Sequence, residues 1–172
     1  MNSPKESELI YDWNRADGDD LKPLRAKVEL DDETLRDGLQ SPSVVAPSIE
    51  DKLRILHLIA DLGIESANIG LPGAGPHVVR DVLRLAQEIV DAKLPLTANC
   101  AARTLRADVE PIVDIAQKTG LAIEAACFIG SSPVRQYAEN WELDRILKLS
   151  VEAIEFAVGE GLPVMYVTED TT

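Results

Sequence analysis

Asp37 sits among side chains that can do chemistry together. The stretch "DDETLRDGLQ", residues 31–40, places the acids Asp31, Asp32, Glu33 and Asp37 around Arg36, with Gly38 and Gln40 close behind. A carboxylate such as Asp37 is a hard oxygen ligand suited to Mg²⁺, Mn²⁺ or Zn²⁺. Arg36 beside it can neutralise an oxyanion on a substrate carbonyl, and one preorganised donor of that type contributes about 2.7–4 kcal/mol to a transition state. Gly38 predicts a tight turn next to the ligand. On composition alone, the same stretch reads equally well as a solvated acidic loop with an Arg–Asp pair.

Other candidates carry less. "GLPGAGPH", residues 70–77, is glycine-rich between a strand and a helix, as a phosphate loop would be. Val78 stands where G-x-G-x-x-G needs its last glycine, so a plain βα turn is favoured, with His77 at the helix start as a possible substrate contact. His57 falls on a polar helical arc with Glu50, Arg54 and Asp61, which marks a surface histidine. Cys100 and Cys127 read as small buried residues rather than a metal or redox pair. Glu169 and Asp170 end a strand, where alternation sends one toward a site and the other away.

The elements that must position these residues alternate strictly. Strands are predicted at 27–30, 64–71, 94–99, 121–130 and 163–170, and helices at 47–63, 75–92, 107–120 and 142–161. Ser48 and Asp51 have capping-box spacing, Gly63 is placed to end the first helix, and Pro111 falls in a first turn where it is tolerable. Strict β-α alternation means a parallel sheet, and near-continuous apolar strands mean that both faces are covered. Each strand ends in polar residues: 34–38, Asn68, 99–103, Ser131 and Ser132, then 169–171. Five such ends favour a (β/α)₈ TIM barrel, whose site lies at that face, over an open sheet. A barrel needs eight strands and roughly 250 residues. The expectation is therefore an amino-terminal, partial barrel at 27–172 behind an irregular arm at 1–26, anchored by Tyr11 and Trp13. Its unclosed edge predicts a homo-oligomer.

Bulk properties exclude several classes. A formal charge of −13 repels nucleic acid and anionic membrane surfaces. Two cysteines do not make a disulfide framework, residues 1–10 show no apolar run of the kind a leader needs, and no run approaches the roughly 18 apolar residues of a membrane span. A cytoplasmic protein is expected.

The segments "DETLRDGLQ", "NIGLPGAG", "CAART", "FIGSSP" and "TEDTT", in that order on strands one to five, resemble the DRE-TIM metallolyase (HMGL-like) family over residues 27–172. That family includes 2-isopropylmalate, homocitrate and citramalate synthases and 3-hydroxy-3-methylglutaryl-CoA lyase. The resemblance implies a TIM barrel that uses a divalent metal to make or break a C–C bond beside a carbonyl. In the synthases, the enolate of acetyl-CoA attacks a metal-held 2-oxo acid and the thioester is hydrolysed. By motif position Asp37 would be the metal ligand, Arg36 the oxyanion stabiliser and Gln40 a neighbouring polar group, with Glu169 in an acid/base role. Asn68, Arg103, His77 and Thr171 would contact substrate.

The departures shape the reading. Asn68 stands where the family carries glutamate on strand two, removing a charge from the metal's surroundings. Met165 and Val167 replace the arginine and serine that homocitrate synthases tend to have on strand five, which favours a 2-isopropylmalate synthase-like acyltransferase. Leu39 is closer to the lyase's motif. The remaining metal ligands of the family, a His-x-His and an asparagine, are expected beyond residue 172. Three readings follow: an acyltransferase condensing acetyl-CoA with a 2-oxo acid, a C–C lyase of the same superfamily, and a non-catalytic half-barrel scaffold.

Overall fold

In the computed structural model, which describes residues 27–170, alternating strands and helices form one parallel sheet of order β1-β2-β3-β4-β5. The strands are β1 (Asp31–Asp32), β2 (Ser66–Asn68), β3 (Thr97–Arg103), β4 (Ile123–Gly130) and β5 (Val164–Glu169). Between them run α1 (Ile49–Asp61), α2 (Pro76–Asp91), α3 (Arg106–Thr119), α4 (Pro133–Glu139) and α5 (Leu143–Gly159). Sequential parallel order with helical crossovers gives a curled half-barrel, a partial TIM barrel. The arm at 1–26, with Tyr11 and Trp13, lies outside the described residues, as does Thr171.

Register sorts the strand residues onto two faces. Ala67, Ala98 and Ile123 lie abreast, as do Cys100, Ala125 and Val164, and this face carries the helices. Its alanines and cysteines are small enough for the helices to approach closely. Leu56 of α1, Leu85 of α2 and Ile112 of α3 fill the layer between and are fully buried. In α2 the buried set is Val82, Leu85, Ala86 and Ile89, one stripe of an amphipathic helix. The opposite face is polar across the first strands: Asn68, Asn99 and Glu124 lie abreast, followed by Ala101, Ala126 and Met165. Near the strands' amino ends this face bounds a hollow of about 390 Å³ lined by Asp31, Ser66, Thr97, Glu124 and Met165.

The expected helix signals are present. The Ser48 hydroxyl accepts the Asp51 N–H at 3.2 Å, and Gly63, at φ 77°, ends α1. Several boundaries differ from the sequence reading. Strand one is not 27–30: the Leu30 N–H goes to the Glu65 carboxylate at 3.0 Å, and Val28 and Leu30 are exposed. Pairing starts at Asp31 opposite Ser66, and the three-residue β2 leaves room for two rungs. Strand three, expected to stop at residue 99, continues to Arg103 because β4 pairs with it to Phe128. Pairing overrides the weak strand propensity of its alanines. Helix α4 was not anticipated, although Ser132 caps it, Pro133 opens it and Asn140, at φ 52°, closes it.

Pro111 lies beyond the first turn, at the sixth residue of α3, and the helix continues past it. Nor is β5 covered on both faces, since Met165 and Tyr166 are about two-fifths exposed. Among the described residues β1 and β5 each have one strand neighbour. No described helix is long and apolar enough to cross a membrane.

Candidate active site at the carboxyl ends of the strands

The turn after β1 is built by its own acids. Asp32 accepts the Thr34 N–H at 2.9 Å and the Thr34 hydroxyl at 3.2 Å, folding the chain back at once. Leu35 is buried and anchors the turn to the core. That leaves Arg36 half-buried, with Nε donating to Glu33 Oε2 at 2.8 Å and Nη2 in ion-pair contact with the same oxygen at 2.7 Å. Its Nη1 donates to Asp37 Oδ1 at 3.1 Å. Asp37 itself is exposed. Gly38 does not play the part expected of it. It has no left-handed φ, and an added Cβ would meet the Glu33 carbonyl at 3.6 Å, an ordinary contact, so the turn does not require glycine there.

Asp31 in β1 and Glu33 just after it are tied to two buried asparagines. Asn68 Nδ2 donates to Glu33 Oε1 at 3.2 Å, and its Oδ1 accepts the Gly70 N–H at 3.2 Å. Asn99 Nδ2 donates to Asp31 Oδ1 at 2.8 Å and to Ser66 Oγ at 3.3 Å. A buried amide without partners would be costly, and these two are satisfied by the acids they hold. Side-chain bonds thus pin a strand whose ladder is only two residues long.

The expected site residues fall into two groups. Arg36, Gln40 and His77 share a cleft of about 310 Å³ between the β1 turn and α2, which Lys52 and Asp81, paired at 2.7 Å, also line. Arg103 and Glu169 line a second cavity, of about 430 Å³, with Phe128, Arg135, Trp141 and Arg145. Glu169 turns its side chain to this cavity, while Asp170 accepts from the Ser132 hydroxyl at 2.9 Å.

Arg103 is not free to serve a ligand alone. Its Nε and Nη2 donate to Asp108 Oδ2 and Oδ1 at 2.6 and 2.8 Å, and its backbone N–H reaches the same carboxylate at 3.2 Å. Hydrogen bonding to Asp108, then its charge, holds the guanidinium above its ordinary pKa. Asp108 is buried under the loop at 72–74, and a Cβ on Gly73 would lie 2.6 Å from its carboxyl carbon. That contact explains a glycine of "GLPGAG" better than phosphate binding does. Asp108 escaped the sequence reading, which took Glu33 only as one of several acids around Arg36. The available signals were an acid in the first turn of α3 and an acid three residues before Arg36.

His57 is half-buried and meets Glu88 at 2.9 Å, away from both cavities. Burial pushes the Cys127 thiol up to about 11 and Cys100 further still, so neither offers a thiolate at neutral pH. Among the described residues no group of three or more His, Cys, Asp or Glu is arranged to hold a metal ion. Asp37 is exposed with Oδ2 unbonded, and one such ligand does not make a catalytic metal site.

Residues 27–172 match the family model described as HMGL-like. The homocitrate synthase AksA of Methanosarcina mazei is 32% identical over 168 residues, which cover 97% of this chain and 38% of that protein. The homocitrate synthase AksA of Methanopyrus kandleri is 30% identical over 100% of this chain and 39% of its own length. A probable 2-isopropylmalate synthase of the same organism is 27% identical over 85% of this chain and 28% of its own length. The chain spans well under half the length of these relatives.

Proposed function

The chain belongs to the HMGL-like family, and from that premise we propose that it forms the amino-terminal part of an acyltransferase condensing acetyl-CoA with a 2-oxo acid. The observation that carries this reading is Arg36. Its Nε–H and one Nη1–H are donated to Glu33 and Asp37 and Nη2 is in ion-pair contact with Glu33, which fixes the guanidinium and leaves N–H groups to meet an oxyanion. In a Claisen-type condensation the enolate carbon of acetyl-CoA attacks the keto carbon, and negative charge develops on the keto oxygen. A guanidinium held in advance stabilises that charge without reorganising. Gln40 and His77 line the cleft beside it and would orient the bound acid, while Glu169 stands in the neighbouring cavity as the acid/base candidate. A divalent ion, when bound, would polarise the keto group. Asp37 would be one of its ligands, and among the described residues no group of three or more acids, histidines or cysteines completes such a site, so this chain's own contribution is to bind and to stabilise charge.

The finer reading is a 2-oxo acid with an apolar side chain, as in 2-isopropylmalate synthesis. Met165 and Val167 face the same side of the sheet as Ala126 and Phe128, and none offers a cation to a second carboxylate. Arg103, level with Phe128, is already paired with Asp108. The names of the relatives, homocitrate and 2-isopropylmalate synthases, support the condensing class and do not choose the substrate. Two unpaired cysteines support a reducing, cytoplasmic setting.

The test is to assay the complete product of the reading frame with acetyl-CoA and a panel of 2-oxo acids, following free thiol. Thiol release that depends on the 2-oxo acid is expected, with 2-oxoisovalerate preferred over 2-oxoglutarate. Arg36→Ala should lower kcat by about 10²–10³. Cleavage of a hydroxyacyl-CoA without condensation would establish the lyase instead, and neither activity would leave the scaffold.

A further inference from the structure

The bonds around Arg36 run in a line from the backbone of the sheet. The Gly70 N–H fixes Asn68 Oδ1 at 3.2 Å, Asn68 Nδ2 fixes Glu33 Oε1 at 3.2 Å, and Glu33 Oε2 accepts from Arg36 Nε at 2.8 Å with Nη2 in ion-pair contact at 2.7 Å. Asn68 is 2% exposed and has no room to swing. Glu33 has no other cation within 4.0 Å among the described residues. Asp37, by contrast, is exposed and meets Arg36 through one oxygen at 3.1 Å. One exposed contact cannot set the plane of a guanidinium, whereas a hydrogen bond together with an ion-pair contact to a carboxylate that is itself held can.

We infer that Glu33 is the positioning residue for Arg36, and that Asn68 acts by holding Glu33 rather than by touching substrate. The carboxylate that position 68 lacks is supplied from the β1 turn, three residues before the arginine it orients. Catalytic use of Arg36 rests on the function proposed above, but its positioning does not. A carboxylate moved to position 68 should therefore replace one removed from position 33.

The test uses the whole 172-residue chain, labelled with ¹⁵N, and follows solvent exchange of the Arg36 Nε–H resonance. In Glu33→Gln the exchange rate should rise about tenfold or more, as expected when a charge-assisted hydrogen bond is lost. Asn68→Ala should raise it by a smaller factor, and Asp37→Asn should leave it near the starting rate. The double variant Glu33→Ala with Asn68→Glu should bring it back toward the starting rate. Amide exchange in β3 and β4 reports whether each variant keeps the fold, and if Glu33→Gln does not, Asn68→Ala and the double variant decide. An unchanged rate in Glu33→Gln, an equal rise in Asp37→Asn, or no recovery in the double variant would overturn the inference.

In the complete product, Glu33→Gln should lower kcat while leaving KM for acetyl-CoA unchanged. If the exchange results hold but wild-type product shows no condensation, the positioning role stands and the acyltransferase reading falls.

Discussion

Arg36 and Arg103 look alike in sequence, since each stands at or just past the carboxyl end of a strand. Their surroundings differ. Arg103 meets Asp108, which is 3% exposed, through two side-chain bonds and a backbone bond, so the carboxylate depends on it. Arg36 meets Glu33 and Asp37, both of which reach water. The first arginine holds the fold together, because the β3–α3 turn closes around its buried partner. The second is held by the fold and keeps donors to spare. An arginine at a barrel's mouth is thus assigned by the burial of its partner, not by its place on the strand.

Equilibrium unfolding in urea gives the strongest way to break this comparison. Arg103→Ala should cost about 3 kcal/mol, the low end of the range for stranding a buried carboxylate, because the arginine is half exposed. Arg36→Ala should cost no more than about 1 kcal/mol, as for an exposed pair. Equal losses would erase the distinction. Next comes Gly73→Ala, whose new methyl group would lie 2.6 Å from the Asp108 carboxyl carbon. It should destabilise by about 1–3 kcal/mol and raise solvent exchange of the Arg103 Nε–H. If it does neither, Asp108 is less firmly enclosed than its burial implies.

A smaller effect sits on the helices behind β1 and β2. The hydrogen bond from His57, followed by Arg84, holds the Glu88 carboxyl below its ordinary value of 4.5. A carboxylate depressed in the folded state stabilises above its unfolded pKa, and that contribution is lost as pH falls through the folded pKa. Glu88→Gln should therefore cost about 0.2–1 kcal/mol at neutral pH and flatten the fall in stability below about pH 4.5. A variant whose acid limb matches the parent would remove the pair from the account. The smallest effect is expected from metal. With no group of three or more potential ligands among the described residues, 1 mM Mn²⁺ should raise stability by no more than about 0.4 kcal/mol, which corresponds to a dissociation constant near 1 mM. A rise of several kcal/mol would show that other ligands assemble around Asp37.

Much of this was legible beforehand. The helices at 49–61 and 76–91 follow from apolar stripes, Ser48 and Gly63, all of them local signals. The grouping of Arg36 and Asp37 follows from adjacency. The pairing of Arg103 with Asp108 was not legible because the partner is reached through a strand-to-helix turn that closes only when β3 runs four residues further than its alanines suggest. Strand one was placed too early because "KVEL" has strand-like residues, while its pairing depends on where a short β2 begins. Helix α4 went unnoticed because its seven residues bury nothing and show no period to find.

By itself the amino-acid sequence determined the α/β alternation, the parallel sheet, the motif that places Arg36 beside Asp37, and kinship with the HMGL-like family. These rest on contacts between near neighbours and on periodicity, which a linear chain displays directly. Only the tertiary structure decided which acid orients which arginine. The Asn68–Glu33 bond joins residues 35 apart and Asn99–Asp31 joins residues 68 apart, across strands whose register no local pattern encodes. Registry brings those amides beneath the β1 turn, and burial makes them choose the nearest carboxylates.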